Sequence, residues 1–135
     1  MGRSLNPAVD VGQVEGAFIQ GMGWLTTEEL VWHPQSGKLT THAPSTYKIP
    51  TANDRPDDLR IRLWDKGRNP AATIYRSKAV GEPPFMLALS VFSALADAVL
   101  AAGDYRTFPA LDAPATPERI LAAVNAVRAL SLIHI

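Results

Sequence analysis

The sequence predicts an α+β fold, and three observations carry that expectation. Stretches with apolar spacing of 3.6 residues stand at both ends and in the middle of the chain; short alternating or turn-bounded stretches stand between them; and the two kinds do not alternate regularly. Eleven prolines and nine glycines break 135 residues into short segments, a length that suits one domain or a piece of a larger one. Residues 3–9 read as loop, because Asn6-Pro7 favours a turn. Asp10 to about Glu29 reads as a helix with Asp10 as N-cap. Leu30-Val31-Trp32-His33 and Lys38-Leu39-Thr40-Thr41 flank Pro34-Gln35-Ser36-Gly37, which predicts a β-hairpin. Leu59-Arg60-Ile61-Arg62-Leu63 alternates strictly and predicts a half-buried strand; Thr73-Ile74-Tyr75 predicts another. A helix should run from about Pro84 to Ala102 with Gly103 at C′, buried on most sides because only Ser90, Ser93 and Asp97 interrupt its apolar surface. The last helix starts at Thr116-Pro117, an N-cap followed by proline at the first helical position.

Composition narrows the function. Thirteen basic and thirteen acidic side chains cancel, so nothing favours nucleic acid or an anionic membrane surface. The chain has no cysteine, which removes disulfides, thiolate metal sites and a cysteine nucleophile. The apolar run around Phe85–Leu100 carries Ser90, Ser93 and Asp97 and reads as too polar for a membrane span. The start lacks the apolar stretch of a signal peptide, so a cytoplasmic location is expected. His33, His42 and His134 have no metal-ligand spacing, and no direct metal ligand is expected in this chain.

Two places are anomalous. The opening helix carries Gly12, Gly16, Gly21 and Gly23, each costing roughly 0.5–1 kcal/mol relative to alanine inside a helix. At about 100° per residue Gly12, Gly16 and Gly23 fall within roughly 40° of one another, a bare strip flanked by Gln13 and Gln20. Either another backbone packs closely there, or a bulky polar ligand lies along the strip and Gln13 bonds to it. A phosphate-binding loop is disfavoured, because Gly21-Met22-Gly23 lacks the third glycine and the preceding strand of a dinucleotide fingerprint and no Gly-Lys-Ser/Thr follows.

The second place is Ser77-Lys78-Ala79-Val80-Gly81-Glu82-Pro83-Pro84. Gly81 permits close approach to the backbone, and Pro83 should restrict Glu82 to extended conformations. The helix that follows offers unpaired amides and the positive end of its dipole to an anion. A carboxylate fixed in this way suits a general base; the alternative is that Glu82 caps its helix and Lys78 is an ordinary solvated lysine.

Several stretches occur together in one order: Ser4-Leu5-Asn6-Pro7-Ala8-Val9-Asp10, Gly12-Gln13-Val14-Glu15-Gly16-Ala17-Phe18, Ala43-Pro44-Ser45-Thr46-Tyr47-Lys48-Ile49-Pro50, Ser77 to Pro84, and Leu111-Asp112-Ala113-Pro114-Ala115-Thr116-Pro117-Glu118. From about residue 3 to 128 the chain resembles the C-terminal part of the molybdenum-binding large subunit of xanthine dehydrogenases. Ala79-Val80-Gly81-Glu82-Pro83-Pro84 is closer to that family than to the related aldehyde oxidases. The resemblance implies residues 1–129 as the C-terminal part of a molybdopterin-binding domain, lacking its N-terminal side. Residues 130–135 have no counterpart in the family and are expected to be a non-native tail.

The resemblance further implies a molybdenum hydroxylase that oxidises hypoxanthine and xanthine to urate in purine catabolism. The carboxylate matching Glu82 takes the proton from a molybdenum-bound hydroxide, the amide matching Gln13 contacts the pterin, and residues matching Lys78, Ala79, Val80 and Gly81 line the same pocket. Cofactors implied are molybdenum–molybdopterin here, and iron–sulfur clusters and FAD on other domains or a separate subunit. Partners implied are the purine substrate, the missing N-terminal part, the iron–sulfur/FAD portion and further copies of the full enzyme. Two alternatives stand beside it: a relative that oxidises aldehydes or N-heterocycles, and an inactive fragment or assembly module.

Overall fold

The computed structural model describes residues 1–132. Three α-helices carry it: α1 (Pro7–Thr26), α2 (Leu89–Ala102) and α3 (Pro117–Leu132), with 3-10 turns at Ala52–Asp54, Ile74–Arg76 and Pro83–Ala88.

Helix α1 starts three residues before the expected cap. Asn6, not Asp10, is the N-cap: its side chain accepts from the Val9 amide at 3.3 Å, and Pro7 takes the first helical position. The Asn6-Pro7 pair that reads as a turn is therefore a helix start, where proline's missing N–H costs nothing. Asp10 instead accepts from the Ser4 hydroxyl at 2.5 Å, which ties the incoming segment to the first turn. The helix stops at Thr26, short of Glu29, where the amides of Thr27 and Glu28 both return to the Gly23 carbonyl. Glu28 and Glu29 then turn outward to partners of their own.

The 30–41 segment folds back as a tight turn with one isolated antiparallel bridge, Trp32 to Leu39. The His33 amide donates to the Lys38 carbonyl at 2.8 Å and Gly37, at φ +64°, donates to His33. The expected hairpin is thus present as its turn, with a ladder too short to count as strands. Leu59–Leu63 keeps the expected alternation, since Leu59, Ile61 and Leu63 are half-buried and Arg60 and Arg62 exposed. Among the described residues it pairs with no neighbouring strand. Thr73–Tyr75 is not a strand at all: it enters the 3-10 turn Ile74–Arg76, in which Tyr75 and Arg76 have φ of +50° and +59°. Asn69 drives that turn, because its amide donates to Thr73 Oγ1 at 2.9 Å while its oxygen accepts from the Ala71 amide. Local bonding of this kind competes directly with strand formation. A second isolated bridge, Gly2 to Ser77, completes the β content among the described residues. The helical half of the α+β expectation is therefore realised, and the strand half is reduced to two bridges.

The apolar stretch from Pro84 divides into the 3-10 turn Pro83–Ala88 and α2, which ends as expected at Gly103. Helix α3 starts as expected at Pro117, with the Ile120 amide donating to the Thr116 carbonyl at 2.9 Å. Its backbone stays helical through Leu132, so residues 130–132 continue α3, while 133–135 lie outside the described residues. The core is small. Val99 of α2 meets Ala123 and Val127 of α3, with Leu111, Ile120 and Val124 around them. Gly103 lets the two helices close, since a Cβ there would sit 2.7 Å from Val127 Cβ.

One expectation is overturned by exposure. Helix α2 is not buried on most sides: Val99 is its one buried residue, Leu89 is 53% exposed, and Leu87 in the turn before it is 54% exposed. Within the 20 residues Pro83–Ala102 an 18-residue window reaches a mean hydropathy of 2.0, long and apolar enough by that measure to cross a membrane, so the three polar residues do not exclude a span as expected. The same residues pack against α1 and α3 here, and an apolar helix of this kind equally suits the interior of a larger protein.

Candidate functional site

Helix α1 is packed closely at its C-terminal end, while toward its N-terminus its glycine face is open, although Glu15 pairs with Arg55 at 3.3 Å. Near its C-terminus, a Cβ on Gly21 would stand 2.6 Å from the Phe85 carbonyl oxygen and 2.7 Å from Ala88 Cβ, so glycine allows the Pro83–Ala88 turn to press onto the helix. Gly23 meets the Pro50 ring in the same way. Trp24 and Phe85 then stack obliquely, with centroids 5.4 Å apart at 52°.

Two further segments clamp the same end. Tyr47 donates to Glu28 at 2.5 Å, and Thr27 donates to the Lys48 carbonyl at 2.7 Å. Arg119 of α3 pairs with Glu29 at 2.7 Å and also donates to the Pro114 carbonyl at 2.8 Å. The Ala115 amide meets the Leu25 carbonyl at 2.7 Å. The bond to anionic Glu28, with burial adding to it, raises the Tyr47 phenol above its ordinary value.

Toward the N-terminus the picture inverts. A Cβ on Gly12 or on Gly16 would meet nothing within 4 Å, and the same holds for Gly81. The four glycines of α1 thus divide between the two readings: Gly21 and Gly23 serve packing, while Gly12 and Gly16 border open space. Gly23, placed on the bare strip by helical phase, belongs to the packed group because Pro50 covers it.

That open space is a cleft of about 720 Å³, lined on one side by Gly12, Gln13, Gly16, Ala17 and Gln20, and on the other by Gly81, Glu82, Phe85 and Met86. Its volume lies in the upper part of the range of small-molecule sites. Sixty-nine residues separate Gln13 from Glu82 in sequence; the packing of the Pro83–Ala88 turn on Gly21 brings them together.

Glu82 does not adopt the extended conformation expected before a proline. Its backbone is α-like (φ −60°, ψ −38°), and its carbonyl accepts from the Phe85 amide at 2.9 Å. The pre-proline preference is a steric bias, and the hydrogen bond that closes the turn overcomes it. The capping alternative also loses its basis, because the Glu82 side chain makes no cap hydrogen bond. Its carboxylate is exposed at the cleft wall, as are Gln13 and Gln20.

Of the remaining expected pocket residues only Gly81 reaches the lining. Lys78, Ala79 and Val80 stand outside it. The Lys78 amide is occupied by the Met1 carbonyl at 2.8 Å, part of the contact between residues 1–3 and 76–78. Sequence reasoning did not single out Phe85 and Met86 as lining residues. Their signal was their place three and four residues after Glu82, which puts them on the same side of a helical turn.

Two neutral amides, one carboxylate and a glycine-paved wall make a suitable surface for a flat, polar ring system. An amide offers a donor and an acceptor together, which matches the alternating N–H and C=O edge of a pterin or purine, and the absent side chains at Gly12, Gly16 and Gly81 leave room for a ring to lie close to backbone. On these grounds the residues present fit a molybdopterin group.

Similarity to known proteins agrees with that fit. Residues 1–56 match the family described as molybdopterin cofactor-binding domain. The chain is 52% identical over 130 residues to xanthine dehydrogenase 1 of Arabidopsis thaliana and 53% identical over 125 residues to the xanthine dehydrogenase/oxidase of Rattus norvegicus. Each alignment covers 89% of this chain and 9% of the relative, so the chain spans about a tenth of the length of the curated proteins it matches. Among solved structures, quinoline 2-oxidoreductase from Pseudomonas putida 86 superimposes with a TM-score of 0.75 at 31% identity, covering 92% of this chain and 15% of that one. Half of the residues are shared with xanthine dehydrogenases over nearly the whole chain, and the fold is shared with quinoline 2-oxidoreductase. Over nearly its whole length the chain is the counterpart of a segment of the xanthine dehydrogenases, and its first 56 residues match the molybdopterin cofactor-binding domain.

Proposed function

We propose that this chain supplies one wall of the active centre of a purine-oxidising molybdenum hydroxylase, with Glu82 as its general base. The observation that carries the reading is the convergence of Glu82, Gln13 and three unobstructed glycines on one cleft. Gln13 projects from the open part of α1 and holds the pterin edge by its amide. Gly12, Gly16 and Gly81 let that ring approach the backbone, and Lys78, Ala79 and Val80 contribute to the pocket at one remove from its lining. When bound, the molybdenum–pterin group supplies a two-electron acceptor and the oxygen delivered to substrate.

Glu82 has the features a base needs. Its backbone is fixed by the 3-10 turn, its carboxylate is not engaged in capping, and it faces the cleft. Proton removal by a positioned carboxylate contributes typically about 10²–10⁴-fold to rate. Xanthine and hypoxanthine are the proposed substrates, because the relatives that share half of its residues are xanthine dehydrogenases. The iron–sulfur/FAD portion, the rest of the molybdenum-binding domain and further copies of the enzyme are the proposed partners.

In the full-length enzyme carrying this segment, Glu82→Ala should keep its molybdenum and pterin while turnover of xanthine falls by about two to four orders of magnitude. Near-normal hydroxylation by that variant would remove Glu82 from the role. A second reading, oxidation of an N-heterocycle other than a purine, is favoured by the shared fold with quinoline 2-oxidoreductase. Comparing kcat/KM for xanthine, quinoline and an aromatic aldehyde separates the readings, and a clear preference for quinoline or the aldehyde would overturn the purine assignment.

A further inference from the structure

Gln20 lines the same cleft as Gln13 and Glu82, yet neither packing nor the proposed base chemistry uses it. Its side chain is exposed and has no hydrogen-bond partner among the described residues, so none of them accounts for an amide at this position. Seven residues of α-helix turn through about 700°, which returns Gln20 to within about 20° of Gln13 and displaces it by about 10.5 Å along the axis. Gly16 and Ala17 lie between the two amides, without bulk to separate them. The pair therefore forms two matching hydrogen-bonding posts above a smooth floor, suited to one long, flat, polar molecule lying along the helix. A purine alone is too short to span both.

We infer that Gln20 is a second contact to the molybdopterin, gripping it about two helical turns from Gln13. This rests on the reading of the cleft as the cofactor's site. The amide donates through its NH2 and accepts at its oxygen, so it can meet an edge that presents both kinds of partner. Because Gln20 stands next to Gly21, where the Phe85 carbonyl closes onto α1, it lies on the rigid part of the helix and is positioned without ordering a loop.

The test uses the full-length enzyme with Gln20→Leu and Gln20→Glu, beside Gln13→Leu. Pterin is released from purified protein and measured by its fluorescence, with molybdenum by mass spectrometry and iron content as the control for folding. The inference predicts that both Gln20 variants lose pterin at least several-fold relative to wild type, with iron unchanged. The glutamate keeps the side chain's size and removes its donors, so it distinguishes a lost hydrogen bond from lost packing. Full pterin occupancy in both Gln20 variants, with loss in Gln13→Leu, overturns the inference alone. Full occupancy in all three overturns the reading of the cleft as the cofactor's site. Full occupancy in the Gln20 variants with a raised KM for xanthine assigns Gln20 to substrate and likewise overturns the inference.

Discussion

At the scale of single residues, Tyr47 shows how α1 is held. Its hydroxyl donates to Glu28, and a charge-assisted bond of this geometry on a half-buried residue is worth about 1 kcal/mol. Tyr47→Phe in the full-length enzyme should therefore speed amide exchange in the last turn of α1 about five-fold, as read by mass spectrometry. The pH dependence follows from the raised phenol. A group whose folded value lies above its unfolded one stabilises the fold fully below the unfolded value and loses that contribution as pH rises through the folded one. In wild type the α1 end should loosen only above about pH 10, and Tyr47→Phe should lack that alkaline phase. An unchanged alkaline phase in the variant would show that the tether is not Tyr47. Glu82 was legible in the sequence because glycine before it and two prolines after it mark a constrained carboxylate. Its α-like backbone was not, because the hydrogen bond to the Phe85 amide that decides it belongs to the folded turn.

At the scale of elements, the glycines of α1 do two different jobs, and substitution separates them. Gly21→Ala would place a Cβ against the Phe85 carbonyl and should destabilise the packed turn by about 1–3 kcal/mol, the range for overpacking. Gly12→Ala meets open space and should stabilise the helix by about 0.5–1 kcal/mol while lowering pterin occupancy. Thermal unfolding and pterin content, measured on both variants, check the pair; opposite signs in stability are the expected result. The helices were legible because periodicity is local, though the start of α1 was not, since Asn6-Pro7 serves a turn and a helix start equally well. The strands were not: Leu59–Leu63 has the alternation without a partner to bond, and Asn69 diverts Thr73–Tyr75 into a turn by bonds that alternation does not report. Helical phase also placed Gly23 on the bare strip, since it cannot foresee Pro50 arriving from 27 residues away.

At the scale of the whole molecule, the exposed apolar surface and the chain's share of its relatives describe the same situation. Met86 and Leu87 in the Pro83–Ala88 turn and Leu89 at the start of α2 form an apolar run, each more than half exposed, and the relatives are about ten times longer than the segment they share with this chain. The 135-residue chain expressed alone should self-associate and bind a hydrophobic dye strongly, because a patch of this kind is rarely left open on a soluble monomer. Sedimentation showing a dye-free monomer would contradict that. The apolar character of α2 was legible in the sequence; its exposure was not, since periodicity reports that a surface must be covered and says nothing of which chain covers it.

The most direct measurement of the central claim is a single-turnover one. Full-length enzyme carrying Glu82→Gln, fully loaded with molybdenum and pterin, is mixed anaerobically with excess xanthine, and reduction of its redox centres is followed optically. Removal of the base while the cleft's shape is kept should slow that reduction by about two to four orders of magnitude. Reduction at the wild-type rate would contradict the assignment of Glu82 as the base.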